Sequence, residues 1–192
     1  MKQLVATLSF CVCLAAGLCA RCTTLPDSCG NDKTQFEVTT QKKQPAPAPP
    51  ADGKAQIVFI EVVDRNLACW SCGSPTSRIG MDGAWVGANQ GNSYFAIDVA
   101  PGEHHLCVDW QSAFGSLKQK VGMAEFTAEA GKTYYFEVKM KLKKYDYGSG
   151  SNSSSDVDRD LSFAQVSDDE GQYRVKASAL AASTAGIGSS RR

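Results

Sequence analysis

The feature that most constrains this chain is the alternation in "KTYYFEVKMKLKK" (132–144). Tyr134, Phe136, Val138, Met140 and Leu142 share one parity, and Glu137, Lys139, Lys141 and Lys143 share the other. Side chains alternate sides along a strand, so a period of two buries one face only if the segment is β. "KAQIVFIEVV" (54–63) differs in kind. It is rich in β-branched residues and apolar at both parities, with Ala55, Ile57 and Phe59 on one and Val58, Ile60 and Val62 on the other. That pattern predicts a strand buried on both faces, or one whose second face the chain itself covers.

The remaining segments between 76 and 167 read as shorter strands. In "SRIGMDGAWVG", Asp82-Gly83 separates two of them, and Asp-Gly suits the type I′ turn, whose two central residues need positive φ. "SYFAIDV" follows. Pro101-Gly102 then opens "APGEHHLCVDW", with His104, Leu106, Val108 and Trp110 on one face and His105, Cys107 and Asp109 on the other. "KVGMAEFTA" and "LSFAQVS" complete the set, while "DYGSGSNSSSDVDRD" reads as a polar loop. Asp168, Asp169 and Glu170 mark the start of a short helix over roughly 168–182, since acids favour the positive end of the helix dipole. Seven or eight short strands with a turn every eight to twelve residues predict an all-β fold: a single small antiparallel β-sandwich, Ig-like or transthyretin-like, with a short C-terminal helix.

The ends of the chain differ from its middle. Residues 1–20 carry Lys2 and then an uncharged stretch from Leu4 to Leu18, too short for the roughly 20 apolar residues of a membrane span and suited to a secretory signal. Ala20 is small enough for signal peptidase. Leu18 precedes Cys19 and Arg21 precedes Cys22, where lipid attachment usually needs a small residue, so ordinary export is the main expectation and a lipid anchor at Cys19 the alternative. Residues 21–52 read as a Pro-rich tether, because four prolines in positions 45 to 50 fix φ and remove N–H donors, favouring extended polyproline II. The sandwich is expected over 53–180, followed by a disordered tail at 181–192. The 20 basic and 20 acidic residues cancel, leaving no electrostatic footprint for nucleic acid.

Of eight cysteines, Cys11, Cys13 and Cys19 lie in the signal region, leaving Cys22, Cys29, Cys69, Cys72 and Cys107 as disulfide candidates in an oxidising compartment. The "CWSC" pair at 69–72 lacks the following helix that lowers a redox thiol's pKa, because Gly73, Ser74 and Pro75 come next. We therefore expect a loop staple, Cys69 and Cys72 bonded to each other or to Cys107. The alternative is a periplasmic metal-binding or thiol-redox protein, with Cys69, Cys72, His105 and Cys107 as a Cys₃His ligand set if the loop folds over that strand face. The acids of "DVDRD" lack the Gly and Glu that a calcium loop places at its sixth and twelfth positions. Trp70 and Trp85 are the exposed aromatic candidates for partner contact, while parity assigns Trp110 to the core.

The stretches "GKAQIVFI", "MDGAWVG", "NSYFAIDVAPGEHHL" and "AGKTYYFEV", and "LSFAQVS" before an acidic helix start, resemble in order and spacing the exported bacterial proteins grouped as domain of unknown function family 2846. The likeness covers roughly 53–180. It implies a small β-sandwich, often on envelope lipoproteins, and carries over no catalytic residue or cofactor. The expected function is that of a non-catalytic exported protein of the periplasm or cell surface, binding a protein or glycan partner and touching the membrane only through a lipid at Cys19.

Overall fold

In the computed structural model of the chain, residues 25–42, 45–66, 73–111, 121–148 and 153–187 are described. In chain order they form β1 (Thr34–Gln41), β2 (Ala55–Arg65), β3 (Thr76–Met81), β4 (Ala84–Gln90), β5 (Ser93–Val99), β6 (Gly102–Trp110), β7 (Val121–Ala128), β8 (Thr133–Tyr147), β9 (Ser154–Val166), α1 (Asp168–Ala177) and β10 (Ala179–Ile187). Six strands make one sheet in the order β1-β10-β5-β2-β8-β9, and four make a second in the order β4-β3-β6-β7.

The core follows from the sequence periods. Ile57 and Phe59 of β2 and Phe136, Val138 and Met140 of β8 meet Ile79, Leu106 and Val108 of the smaller sheet, in one buried cluster. Each large side chain so buried contributes about 1.5–3 kcal/mol. The second face of β2 is covered as well: Val58 and Ile60 pack with Tyr94 and with Val175 of α1. Two apolar faces on one strand are thus answered by the opposing sheet on one side and by the helix on the other. The helix lies close because residue 171 is glycine; a Cβ there would stand 2.1 Å from Cγ of Tyr135. Its start is as the acids predict, with Ser167 capping by accepting from the Glu170 amide. The Asp82-Gly83 turn has φ of 51° and 86°, the positive pair that a type I′ hairpin requires.

The all-β sandwich with a short C-terminal helix is present, with three differences from expectation. First, the described residues form ten strands and the sandwich is mixed: β2 and β8 run parallel from Gln56↔Thr133 to Arg65↔Leu142, because the chain visits the other sheet between them. Second, the expected tether at 21–52 contains β1, and the expected tail from 181 contains most of β10. These two pair antiparallel along their whole length, from Thr34↔Ile187 to Gln41↔Leu180, and α1 ends at Ala177 so that β10 can begin. On its other side β1 is tied by Gln111, whose side chain accepts from the Phe36 amide at 2.7 Å and donates to the Phe36 carbonyl at 2.8 Å. Third, the polar stretch at 153–160 is not loop: from Ser154 on it is β9, and Asp156, Asp158 and Asp160 stand opposite Tyr145, Lys143 and Lys141. The alternation of acids is that of a cross-strand charge ladder.

The Pro-rich run does not stand off as a spacer. Tyr94 Oη donates to the Pro45 carbonyl at 3.0 Å and Gln56 Nε2 to the Ala48 carbonyl at 2.9 Å, which straps the run across the outer face of the large sheet. A polyproline II backbone has no internal hydrogen bonds, so its carbonyls are free to accept from side chains beneath it.

Candidate functional site

The outer face of the small sheet should be wet by the parity of β6, yet Leu106, Cys107, Val108 and Asp109 are all buried. The cover is the segment before β1. Cys29 forms a disulfide with Cys107, across 78 residues of sequence and with Cα atoms 5.2 Å apart. Gly80 lets the cover lie flat, since a Cβ there would be 2.9 Å from the Cys29 Cα. Arg78 fastens the same segment: Nη1 donates to the Asp32 carbonyl at 3.1 Å and to that of Thr34, while Nε and Nη2 donate to Asp109 Oδ2 at 2.9 and 2.6 Å. The Arg78 guanidinium lies 4.4 Å from the Trp85 ring centroid, and Trp85 Nε1 donates to the Asn31 carbonyl at 2.7 Å.

This arrangement changes the assignment of several residues. Cys107 pairs with Cys29, so a bond from Cys107 to Cys69 or Cys72 is excluded while this disulfide holds, and the Cys₃His set loses one of its thiolates. Trp85, half-buried, is engaged within the molecule through its ring and its N–H. Cys22, Cys69, Trp70 and Cys72 lie outside the described residues, as does the signal segment with Cys19. Trp110 packs against the core, as parity assigns.

The two histidines go separate ways. His104 sits against Phe126 with ring centroids 5.7 Å apart, its Nδ1 2.7 Å from Asp82 Oδ2 and its Nε2 2.9 Å from the Ala100 carbonyl. Burial works against the imidazolium, but the Ala100 carbonyl and Asp82 outweigh it, so the pKa of His104 is raised. Burial also opposes the charge of Asp82, but the His105 amide and the His104 ring outweigh it and hold its carboxyl below the ordinary value. His105 faces solvent on the other side, 3.8 Å from Glu103 and 3.8 Å from Glu125. These three present ligand atoms within 4.8 Å of one another and are the group among the described residues with metal-ligand spacing. All three are exposed, so water competes for any ion, and Cys107, two residues along the strand, is held in its disulfide.

One group escaped the sequence reading. Glu61 points inward from β2, fully buried, and its Oε2 accepts from the Ser77 amide at 3.1 Å and from the Ser77 hydroxyl. Oε1 has no hydrogen-bond partner among the described residues. Buried Asn89 and Ser93 flank it, with Ser93 Oγ donating to Asn89 Oδ1 at 3.3 Å. Burial pushes the carboxyl up to about 8, although hydrogen bonding from Ser77 and the Gly91 backbone pulls the other way, so it is neutral at pH 7. The signal was present: one acid inside a run apolar at both parities has no wet face to turn to.

Two surface features complete the inventory. Beyond Leu142, β8 outruns the backbone pairing of β2, and among the described residues the side chain of Asn66 continues it through the backbone of Lys144, with Lys143 3.7 Å from Asp64. Among the described residues, the last residues of β8 then pair with β9, to Tyr147↔Ser154, and carry Tyr145 and Tyr147 at 40 % and 56 % exposure on one face. The second feature is a cleft of about 330 Å³ between the Pro-rich strap and α1, floored by the outer face of the large sheet. Comparison with protein-family models, with curated proteins and with solved structures gives no match to this chain. Among the described residues no helix is long and apolar enough to cross a membrane.

Proposed function

We propose that this chain is a non-catalytic, exported β-sandwich of the bacterial cell envelope that binds a protein or glycan partner, in keeping with its likeness to domain of unknown function family 2846. The observation that carries the binding reading is the two-stranded end of β8–β9. Tyr145 and Tyr147 lie two residues apart on a strand, about 7 Å along one face, in line with Lys139, Lys141 and Lys143. Tyrosine offers a rigid ring and a hydroxyl at small entropy cost, which suits both protein epitopes and sugar rings. The Cys29–Cys107 bond supports an oxidising compartment. The most strongly shifted carboxyl, Glu61, is sealed between the sheets, out of reach of a substrate.

The test is co-sedimentation of the purified mature protein with isolated peptidoglycan, alongside a glycan array and an envelope-protein crosslinking screen. Saturable binding lost in Tyr145→Ser/Tyr147→Ser supports the reading. Stoichiometric zinc or copper that disappears on changing Cys69 and Cys72 to Ser overturns it in favour of the metal protein.

A further inference from the structure

We propose that the cleft between the Pro-rich strap and α1 is a second, independent site, which binds a small aromatic anion: one or two rings bearing a single carboxylate or sulfonate. Its volume of about 330 Å³ falls in the range of small-molecule sites, roughly 300–1,000 Å³. Pro47 and Pro49 form one wall, Val175 of α1 the other, and Tyr135 part of the floor. Proline rings and a phenol are stiff carbon surfaces that lose little side-chain entropy on contact, and this favours a rigid planar guest over a flexible chain.

The charge of the guest follows from the lining. Lys176 is the one charged residue in it, is exposed, and has no ion-pair partner among the described residues. Gln56 is already engaged, donating to the Ala48 carbonyl and to Asp98. The prolines of the strap wall carry no N–H to donate to a negative group, and the wall holds no charged side chain. An anion is therefore accepted on the α1 side only, at Lys176, with the rings turned toward the prolines.

The experiment titrates the full mature chain with 8-anilinonaphthalene-1-sulfonate and, separately, with its uncharged relative N-phenyl-1-naphthylamine, reading fluorescence. Both dyes bind saturably, one per chain. Lys176→Gln weakens the sulfonate dye about tenfold and leaves the neutral dye within about twofold. Ala48→Trp on the strap and Gln172→Trp on the helix, both at exposed positions, fill the cleft from opposite sides and abolish binding of both dyes, with urea midpoints matching wild type. Binding that does not saturate, or that survives both tryptophan variants, overturns the site. A sulfonate affinity unchanged by Lys176→Gln overturns the anion assignment. Neither result bears on the Tyr145–Tyr147 reading, which concerns the far end of β8.

Discussion

Arg78 on β3 and Asp109 on β6 are cross-strand partners joined at 2.6 Å, with side chains only 5 % and 2 % exposed. The pair lies between the small sheet and the segment that covers it, and Arg78 also bonds the backbone of that segment. Removing one partner of a buried pair leaves an uncompensated charge and costs about 3–5 kcal/mol. Asp109→Ala should lose that much in urea unfolding, and Arg78→Met/Asp109→Leu should recover a good part of it. A single-variant loss below about 1 kcal/mol would show that the pair is solvated in solution.

The covalent staple makes a separable contribution. Closing a 78-residue loop between Cys29 and Cys107 stabilises by about 4 kcal/mol through the entropy of the unfolded chain. Cys29→Ala should lose that amount, and Cys29→Ala/Cys107→Ala should lie within about 1 kcal/mol of the single variant, since the crosslink is already gone and no polar group is buried. Non-reducing peptide mapping should recover the 29–107 linked peptide. A map joining Cys107 to Cys69 or Cys72 would sink the assignment.

Glu61 gives stability a pH dependence of definite sign. The unfolded carboxyl ionises near its ordinary value of 4.5 and the folded one near 8, so between these values the folded state holds the extra proton. Its contribution is complete below 4.5 and drains away as pH rises through about 8, at up to about 1.4 kcal/mol per pH unit. His104, also raised, acts in the same direction from 6.5 upward. Glu61→Gln mimics the neutral acid. It should match wild type within about 1 kcal/mol at pH 5 and exceed it by about 2 kcal/mol or more at pH 8 in urea unfolding. Equal slopes for the two proteins over that window would refute the burial argument.

At Gly171 two effects oppose each other. Alanine gains about 1 kcal/mol of helix propensity over glycine. Its Cβ would stand 2.1 Å from the Tyr135 ring, and overpacking of this kind costs about 1–3 kcal/mol or more. Contact with ring carbons that are themselves packed should win, so Gly171→Ala should destabilise and raise amide exchange in α1. A stabilised variant would mean that the helix docks more loosely than the structure shows.

How much of this was legible in the chain varied with the range of the interaction. The inward row of β8, the double burial of β2, the Asp82-Gly83 turn and the acidic start of α1 were readable, because each depends on residues a few positions apart. Phe36 and Val38 are the only apolar side chains in "TQFEVTTQ", and β10 reads "ALAASTAGI", mostly small residues. Neither segment looks like a strand alone; each becomes one by pairing with the other across more than a hundred residues. Glu61 was missed, although the apolar run around it carried the signal for its burial; its Ser77 partner left no local mark.

The amino-acid sequence by itself determined which central stretches are extended, where the tight hairpin falls, and which parity of each central strand is apolar; β1, β10 and the start of β9 were not among them. Only the tertiary structure decided that Cys29 is the partner of Cys107, that the Pro-rich run straps a sheet instead of spanning a gap, and that β6 is dry on both faces from Leu106 to Asp109. The reason is physical. Periodicity and turn chemistry act between near neighbours and leave their mark in local spacing. Disulfide choice, sheet order and the covering of a face depend on which distant segments are brought together, and several pairings satisfy the same local pattern.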